Sequence, residues 1–244
     1  MFPFLRRKHN PLLTFSALHT DMHSHVLPGI DDGAPDVETS IQLIRGLMDL
    51  GYTAFIATPH IYQDIYPNTA ETILSALETT RTALHKEGLS VRLDAAAEYM
   101  LDDHFEHLLD QGPLMTLPGN RVLVEMSMLS PPPLLDHYLF RMQVKGYVPL
   151  IAHPERYIFL KTNKNRYHDW VERGCELQLN LLSLTAYYGP TVRDLALYLL
   201  KNKLVHFAGT DTHHTKHVEL LQQSLKDKNV AKLLDYEDLL NATL

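Results

Sequence analysis

Short runs of apolar and β-branched residues alternate along the chain with longer segments whose apolar residues recur every three or four positions. The short runs predict seven strands, at 18–25, 53–58, 91–97, 121–126, 148–152, 176–180 and 204–208. The longer segments predict helices between them, at 37–48, 68–88, 134–145, 164–173, 190–201 and 218–233. Gly51 is placed to end the first helix, Asn68 and Glu71 predict a capping box at the start of the second, and a break near Asp227 is expected in the last.

Seven strands in series with helices between them are typical of repeated β/α units. The pattern therefore predicts a single-domain (β/α) barrel, one unit short of the usual eight. The length of 244 residues and the hydrophobic fraction of 45% suit one domain of that size. We place the barrel at 20–244 and interpret 1–19, which is basic at Arg6, Arg7 and Lys8, as a solvated N-terminal extension, with a weak contact to a partner or an anionic surface as the alternative.

Composition and charge exclude several classes of protein. No apolar run approaches the roughly 18 residues of a membrane span, and no apolar segment of the kind found in signal peptides follows the basic N-terminus. The single cysteine, Cys175, excludes an internal disulfide and fits a reducing compartment. We therefore expect a soluble, cytoplasmic protein without a transmembrane segment. The net charge of −7 argues against a nucleic-acid partner, which would need clustered positive charge.

The candidate chemistry lies where the predicted strands end. Functional groups of a parallel barrel gather at the carboxyl ends of its strands. Six of the seven predicted strands carry His, Asp or Glu there, and only the strand that ends at Asn180 does not. These positions and the loops just after them supply nine candidate metal ligands: His23, His25, Asp32, His60, Glu98, Glu125, His153, Asp211 and His213.

The spacing of these residues has a physical reason. His23 and His25 lie two positions apart, so both side chains point to the same face of a strand, and the same holds for Asp211 and His213 if the strand continues that far. Imidazole and carboxylate donors suit Mn, Fe, Zn or Ni. Nine donors exceed the needs of one ion, so two or three ions are expected. Each element alone has a simpler interpretation, such as a turn at Asp31–Asp32, but six strand ends of this kind together favour a metal centre.

Several short motifs resemble a known family: Asp21-Met-His-Ser-His25, Leu27-Pro-Gly-Ile-Asp-Asp-Gly33, Ala57-Thr-Pro-His60, Ala97-Glu-Tyr99, Ala152-His-Pro-Glu-Arg-Tyr157 and Gly209-Thr-Asp-Thr-His213. In order and spacing they are similar to the polymerase-and-histidinol-phosphatase superfamily, and more narrowly to the bacterial manganese-dependent protein-tyrosine phosphatases of the CpsB/CapC/YwqE type. The resemblance implies a distorted (β/α)7 barrel that holds three divalent ions, manganese before iron or zinc, on the same nine ligands. It also implies a phosphotyrosine protein as substrate, namely a tyrosine autokinase that controls capsular or exopolysaccharide export.

The chain matches the family's residues for phosphate binding less completely than its metal ligands. Arg156 follows His153 by three residues and is expected to donate two hydrogen bonds to phosphate oxygens, although an ion pair with Glu155 or with a nearby loop acid is the alternative. The family has a second arginine after its last histidine ligand, and this chain has none there. Lys216 or His217 is expected to replace it, or the contact is absent.

We expect a metal-bound hydroxide to attack phosphorus while Arg156 stabilises the charge on the phosphate oxygens. His213, or its neighbour His214, is the candidate general acid, although a phenolate is a good leaving group and needs little acid catalysis. A cysteine mechanism is excluded because it needs Cys-x5-Arg, and the sixth residue after Cys175 is Leu181. The open alternatives are a small-molecule phosphatase of the same superfamily, such as a histidinol-phosphate phosphatase, and a silent kinase-binding domain, which should have lost ligands.

Overall fold

The computed structural model describes residues 13–244, so the basic residues Arg6, Arg7 and Lys8 lie outside the described part of the chain. All strands in the described part pair in parallel, and they occupy seven successive positions. The strands are β1 (Thr20–Asp21), β2 (Ala54–Ala57), β3 (His60–Ile61), β4 (Arg92–Ala95), β5 (Glu98–Met100), β6 (Arg121–Glu125), β7 (Val148–Ala152), β8 (Glu176–Asn180) and β9 (Phe207–Gly209). The second and third positions are each split in two, as β2–β3 and β4–β5.

The sheet closes on itself, although its strands are interrupted. Pairing runs in the order β1-β2-β4 and then β3-β5-β6-β7-β8-β9. The first and last positions meet through a parallel bridge between Ser24 and Thr212. There the Asp211 N–H donates to the His23 carbonyl at 2.8 Å, and the His25 N–H donates to the Thr212 carbonyl at 2.9 Å. The predicted single-domain, distorted (β/α)7 barrel is confirmed.

The helices between the strands are α1 (Val37–Asp49), α2 (Ala70–Lys86), α3 (Asp103–Gln111), α4 (Leu135–Val144), α5 (Asn165–Glu172), α6 (Pro190–Lys201), α7 (Thr215–Ser224) and α8 (Lys228–Leu234). The predicted break at Asp227 is confirmed, because its side chain caps α8. Helix α3 was not predicted, since it buries only Phe105 and Leu109 and therefore gives a short apolar stripe. No helix within residues 13–244 is both long and apolar enough to cross a membrane.

The predicted capping box at Asn68 and Glu71 is wrong. Helix α2 is capped by Thr69, whose hydroxyl accepts from the Thr72 N–H at 3.3 Å, while the Thr72 hydroxyl accepts from the Thr69 N–H at 2.9 Å. Asn68 instead donates its side-chain amide to the carbonyls of Ile30 and His60, at 2.7 and 2.8 Å. It therefore ties two loops together on the side of the barrel where the candidate ligands lie.

The core has two parts. Most buried apolar side chains pack between the strands and the surrounding helices. A smaller group fills the lower half of the barrel interior, and we call it the lower layer: Met22, Ile56, Ala96, Leu117, Leu123, Leu150, Ala152 and Phe207. Along β6 and β7, residues of the lower layer alternate with residues of the outer core, as expected for strands with one inner and one outer face.

Two segments outside the strands close the amino end of the barrel. The side chain of Asn241 accepts from the Ala208 N–H at 2.9 Å and donates to the carbonyls of Ala208 and Thr20, at 2.7 and 3.2 Å. The turn Phe15–Leu18 buries Phe15 against Tyr52, with ring centroids 5.7 Å apart. The described end of the predicted extension thus packs against the barrel.

Candidate metal centre

All nine predicted ligands converge at the carboxyl ends of the strands. Their donor atoms form four overlapping groups, within each of which the atoms lie within 4.8 Å of one another. The groups are His25, Asp32, His60 and His213; His23, Glu98 and His153; His23, His25 and Asp211; and His60, Glu98 and Glu125. Strand β1 formally ends at Asp21, yet the Nε2 atoms of His23 and His25 lie 3.4 Å apart, so these two histidines do share a face.

Glu98 lies at the centre of this cluster and is completely buried. One of its oxygens lies 3.2 Å from His23 Nε2 and 3.3 Å from His60 Nδ1, and the other lies 3.1 Å from His153 Nε2. The two oxygens of one carboxylate therefore face different sets of ligands. This is the arrangement that a carboxylate shared between two ions requires.

The spacing of the donors fits divalent ions. Two ligands that hold one ion at about 2.1 Å and at right angles to each other lie about 3 Å apart. The contacts of Glu98 with His23 and His153, at 3.2 and 3.1 Å, are close to that separation. Five imidazoles and four carboxylates also supply both kinds of donor that Mn, Fe and Zn accept.

Without ions, protons on the histidines balance the carboxylates. Burial opposes a charge on His23, but the negative charges of Glu98 and Asp211 raise its pKa. Burial and the charge of His25 likewise disfavour protonation of His60, but hydrogen bonds to Asp32 and Glu125 raise its pKa to about 10. A hydrogen bond from His60 lowers the pKa of Asp32 to about 2. In the absence of ions, protonated histidines thus occupy the place beside the carboxylates that metal cations would take.

The loop after β1 orients His25. The Nδ1 of His25 lies 2.8 Å from one carboxylate oxygen of Asp31, and the other oxygen accepts from the Gly33 N–H at 2.9 Å. A Cβ at Gly33 would lie 2.0 Å from the His25 carbonyl oxygen, so only glycine allows this close approach. Asp31, which is not one of the nine predicted ligands, thus contacts the predicted ligand His25. Its sequence context, an acidic pair before glycine, is equally typical of a plain turn.

Two of the ligands lie on strained backbone. His153 has a φ of 33° and Asp211 a φ of 51°, both in the left-handed region that residues other than glycine rarely adopt. Strand β9 ends at Gly209, so the condition for Asp211 and His213 to share a strand face is not met, and the turn at Asp211 brings both side chains into the site instead. Such strain costs about 1–3 kcal/mol per residue and tends to occur where function requires a fixed geometry.

Arg156 reaches the site from beyond β7. Its Nη1 donates to one oxygen of Asp211 at 2.8 Å, and the Asn180 side-chain amide donates to the same oxygen at 2.9 Å. The other oxygen of Asp211 lies 3.5 Å from His23 and from His25. The Arg156 guanidinium also lies over the ring of Tyr188, 4.6 Å from its centroid. Arg156 is thus held at the edge of the cluster.

Glu155, the alternative partner of Arg156, forms no ion pair with it within the described residues. It is completely buried and accepts from the Asn180 N–H at 2.9 Å and from the Ser183 hydroxyl at 2.7 Å. Glu155 therefore fixes the end of β8. Arg156 pairs with Asp211 instead.

The two candidates for the second phosphate contact differ in their surroundings. Lys216 is exposed on the first turn of α7, and no ion pair within the described residues involves it. His217 is buried, its Nδ1 accepts from the His213 N–H at 3.2 Å, and its Nε2 lies 3.3 Å from the Tyr187 hydroxyl. Burial and the charges of His214 and His213 lower the pKa of His217 to about 4, so it carries no positive charge at neutral pH. In this arrangement His217 supports the backbone of a ligand.

Cys175 lies in the outer core, away from the metal centre. Burial raises the pKa of its thiol to about 12, which leaves almost no thiolate at neutral pH. The thiol packs as an apolar group.

Known proteins are similar to this chain over most of its length. Residues 19–227 match the family described as capsular polysaccharide synthesis, CpsB/CapC. The chain belongs to the CpsB/CapC family. It is 30% identical over 197 residues to the tyrosine-protein phosphatase YwqE of Bacillus subtilis, covering 80% of this chain and 78% of that one. It is 26% identical over 221 residues to the putative tyrosine-protein phosphatase CapC of Staphylococcus aureus, covering 90% and 86%.

A solved structure is also similar to this chain. The crystal structures of YwqE from Bacillus subtilis and CpsB from Streptococcus pneumoniae, described as metal-dependent tyrosine phosphatases, include a chain that superposes with a TM-score of 0.78. The two sequences are 28% identical, and the alignment covers 88% of this chain and 90% of that one. The predicted resemblance to the CpsB/CapC/YwqE type is confirmed.

Proposed function

We propose that this member of the CpsB/CapC family is a metal-dependent protein-tyrosine phosphatase. The observation that carries the proposal is the convergence of nine metal-binding side chains beside one arginine at the mouth of the barrel. A phosphate ester needs cations for its oxygens and a water activated for attack, and this donor set suits both. The names of the relatives support phosphotyrosine as the substrate.

The centre would hold three divalent ions, with manganese as the first choice. Four overlapping donor groups, each of three or four side chains, give room for three ions, and the proportion of carboxylates favours a harder ion than zinc. When bound, the ions would neutralise charge on the phosphate and lower the pKa of the water that attacks phosphorus. Glu98, which faces two ligand groups, would be the shared carboxylate.

Arg156 is placed to hold the phosphate. One of its N–H groups is occupied by Asp211, and within the described residues its other N–H groups have no hydrogen-bond partner. The Tyr188 ring fixes the plane of the guanidinium, so the free N–H groups have a defined direction. Arg156 would donate them to phosphate oxygens while its bond to Asp211 keeps it in position.

His213 is better suited to ligation than to proton transfer. Its Nδ1 lies 2.9 Å from the Asp211 carbonyl oxygen, which can only accept, so Nδ1 carries the proton. Its Nε2 is then bare and faces Asp32 at 3.5 Å. Burial and the charge of His25 lower the pKa of His213 to about 4. The leaving phenolate would depart without a strong general acid from this residue.

A protein substrate is favoured over a small phosphoester such as histidinol phosphate. Within residues 13–244, five large apolar side chains that remain exposed lie on segments that follow strands at the ligand end: Ile65, Leu129, Leu134, Ile158 and Tyr187. We call these five the rim. Exposed apolar groups around a site commonly mark a protein contact. The family description supports a role in capsular polysaccharide synthesis, where the partner would be the tyrosine autokinase expected from the sequence.

The first test is phosphate release from a phosphotyrosine peptide by protein stripped with chelator and then supplied with Mn²⁺. Activity should return with the metal, survive in Cys175→Ser and disappear in His23→Ala. Equal rates with and without metal, or loss of activity in a metal-loaded Cys175→Ser variant, would overturn the mechanism. Faster turnover of histidinol phosphate than of the peptide would favour the small-molecule alternative.

A further inference from the structure

Gln178 lies inside the barrel between two of the candidate ligands. It sits on β8 and is completely buried. Its side-chain oxygen lies 2.8 Å from His23 Nδ1 and accepts from the His153 backbone N–H at 3.2 Å. One amide oxygen therefore touches the ligands of two other strands, from the first and the fifth positions of the barrel.

The identity of that oxygen follows from its partners. A backbone N–H can only donate, so the Gln178 atom that faces His153 must be the oxygen and not the nitrogen. The same oxygen faces His23 Nδ1, which must then carry a proton. In the neutral imidazole the lone pair is thereby left on Nε2, the atom that lies 3.2 Å from Glu98 and 3.5 Å from Asp211.

The neighbouring strand β9 packs closely against Gln178 and His23 at Gly209. A Cβ at Gly209 would lie 2.7 Å from the Gln178 side-chain nitrogen and 2.8 Å from the His23 Cβ. That nitrogen is buried and has no hydrogen-bond partner among the described residues. A buried amide that leaves its own N–H groups unpaired is unfavourable unless its oxygen is needed. The packing therefore indicates that the oxygen, through its contacts with His23 and His153, is the functional atom of this amide.

We propose that Gln178 is a positioning residue of the metal centre, which fixes the proton of His23 on Nδ1 and holds His153 beside it. This inference rests on the metal centre of the proposed function, though not on its substrate. His25 has the matching arrangement, in which the Asp31 carboxylate lies 2.8 Å from Nδ1. An amide at 178 does the same for His23 without adding a further negative charge beside Glu98 and Asp211.

Metal affinity tests the proposal apart from activity. Gln178→Met keeps the length of the side chain and removes the acceptor, whereas Gln178→Glu keeps an acceptor oxygen. Competition with a chelator should show Mn²⁺ binding about 10–100-fold weaker in Gln178→Met, and binding within about threefold of wild type in Gln178→Glu. The matched control is Gln143→Met, which removes a glutamine amide that bonds the Arg173 carbonyl on the surface and should change nothing.

Unchanged affinity in Gln178→Met, or equal losses in the Met and Glu variants, would overturn the proposal and leave Gln178 a packing residue. Should Gln178→Met fail to fold, the tautomer can be read in the wild-type protein loaded with diamagnetic Zn²⁺. Nitrogen–proton spectra of the histidine rings should place the His23 proton on Nδ1, and a proton on Nε2 would refute the assignment. Metal binding that depends on Gln178 in a protein inactive on phosphotyrosine would refute the proposed function alone.

Discussion

The two halves of the barrel interior are built on the same strands but have different roles. In the lower layer, apolar side chains such as Leu123, Leu150 and Phe207 fill the space and are completely buried. In the upper half, nine ionisable side chains face one another at the strand ends. The alternation of inner and outer positions does not change between the halves. Only the residue type changes, within two positions on β6, from Leu123 to Glu125.

The lower layer contributes stability, and the upper half contributes the functional groups. A buried Leu or Phe in the lower layer contributes about 1.5–3 kcal/mol through the hydrophobic effect. The upper half concentrates four carboxylates and holds His153 and Asp211 in a strained conformation, which is unfavourable unless cations bind. The lower layer thus keeps the barrel folded while the upper half remains poised for ions.

The largest effect is expected where a charge is removed from the centre of the upper half. Glu98→Gln preserves the size of the side chain but removes the carboxylate that faces His23, His60 and His153. We expect kcat/KM for a phosphotyrosine peptide to fall by more than the roughly 10–100-fold typical of residues that only support ligands. Bound metal should decrease in parallel, as measured by elemental analysis.

The matched control for Glu98→Gln is Glu87→Gln, which makes the same change on the surface. Glu87 pairs with Arg45 at 3.2 Å and is largely exposed, so kcat/KM should stay within about twofold of wild type. A Glu98→Gln enzyme with full metal content and wild-type turnover would show that the upper half does not work as a metal centre.

A change in the lower layer should affect stability and spare the chemistry. Leu150→Ala removes a completely buried side chain, and we expect the free energy of unfolding to drop by about 2–5 kcal/mol. Leu74→Ala, at an exposed position on α2, should cost less than about 1 kcal/mol. Urea denaturation measures both. If folded Leu150→Ala protein lost as much kcat/KM as Glu98→Gln, the two halves would not be separable.

The upper half was predictable from the sequence to a large extent, because its residues lie at strand ends. A His, Asp or Glu that directly follows a predicted strand can be assigned to the mouth of a parallel barrel from the local sequence alone. All nine such residues converge in the structure. The lower layer was predictable only as a set of apolar strand residues.

What the sequence concealed are the residues that act across strands. Gln178 contacts His23, which lies 155 positions earlier, and Asn180 contacts Asp211, which lies 31 positions later. An amide on a strand belongs to no recognisable sequence motif, because its role depends on which strands lie beside it in the fold. For a similar reason the cap of α2 fell on Thr69, because Asn68 is engaged by Ile30 and His60 in loops that the local sequence does not reveal.

The stability of the metal-free protein should depend on pH through the histidines of the upper half. His60 has a folded-state pKa of about 10, against an ordinary 6.5, and the pKa of His25 is also raised against the opposing effect of burial. A raised pKa stabilises the fold fully below pH 6.5 and loses that contribution as the pH rises through about 10. The melting temperature of chelator-treated protein should therefore fall between pH 6.5 and about 10.

The metal-loaded protein should behave in the opposite way, because ions bind deprotonated ligands and gain affinity as the pH rises. Thermal unfolding with and without Mn²⁺ at several pH values measures both slopes. His60→Gln should flatten the fall in the metal-free protein. A metal-free melting temperature that rises steadily from pH 6.5 to 10 would contradict the assigned pKa values.

The smallest effect is expected at the rim, beyond the ligands. Leu129 is 78% exposed on the loop between β6 and α4, and Phe140 is 62% exposed on the outer face of α4, away from the mouth. If the rim contacts the peptide around a phosphotyrosine, Leu129→Ser should raise KM for a peptide with apolar flanking residues about fivefold, the effect of losing roughly 1 kcal/mol of contact. Turnover of p-nitrophenyl phosphate, which has no flanking residues, should not change. Phe140→Ser removes as much exposed apolar surface and should affect neither substrate. Equal effects of Leu129→Ser on both substrates would instead assign the loop to the metal centre. The rim would then have no role in the selection of protein substrates.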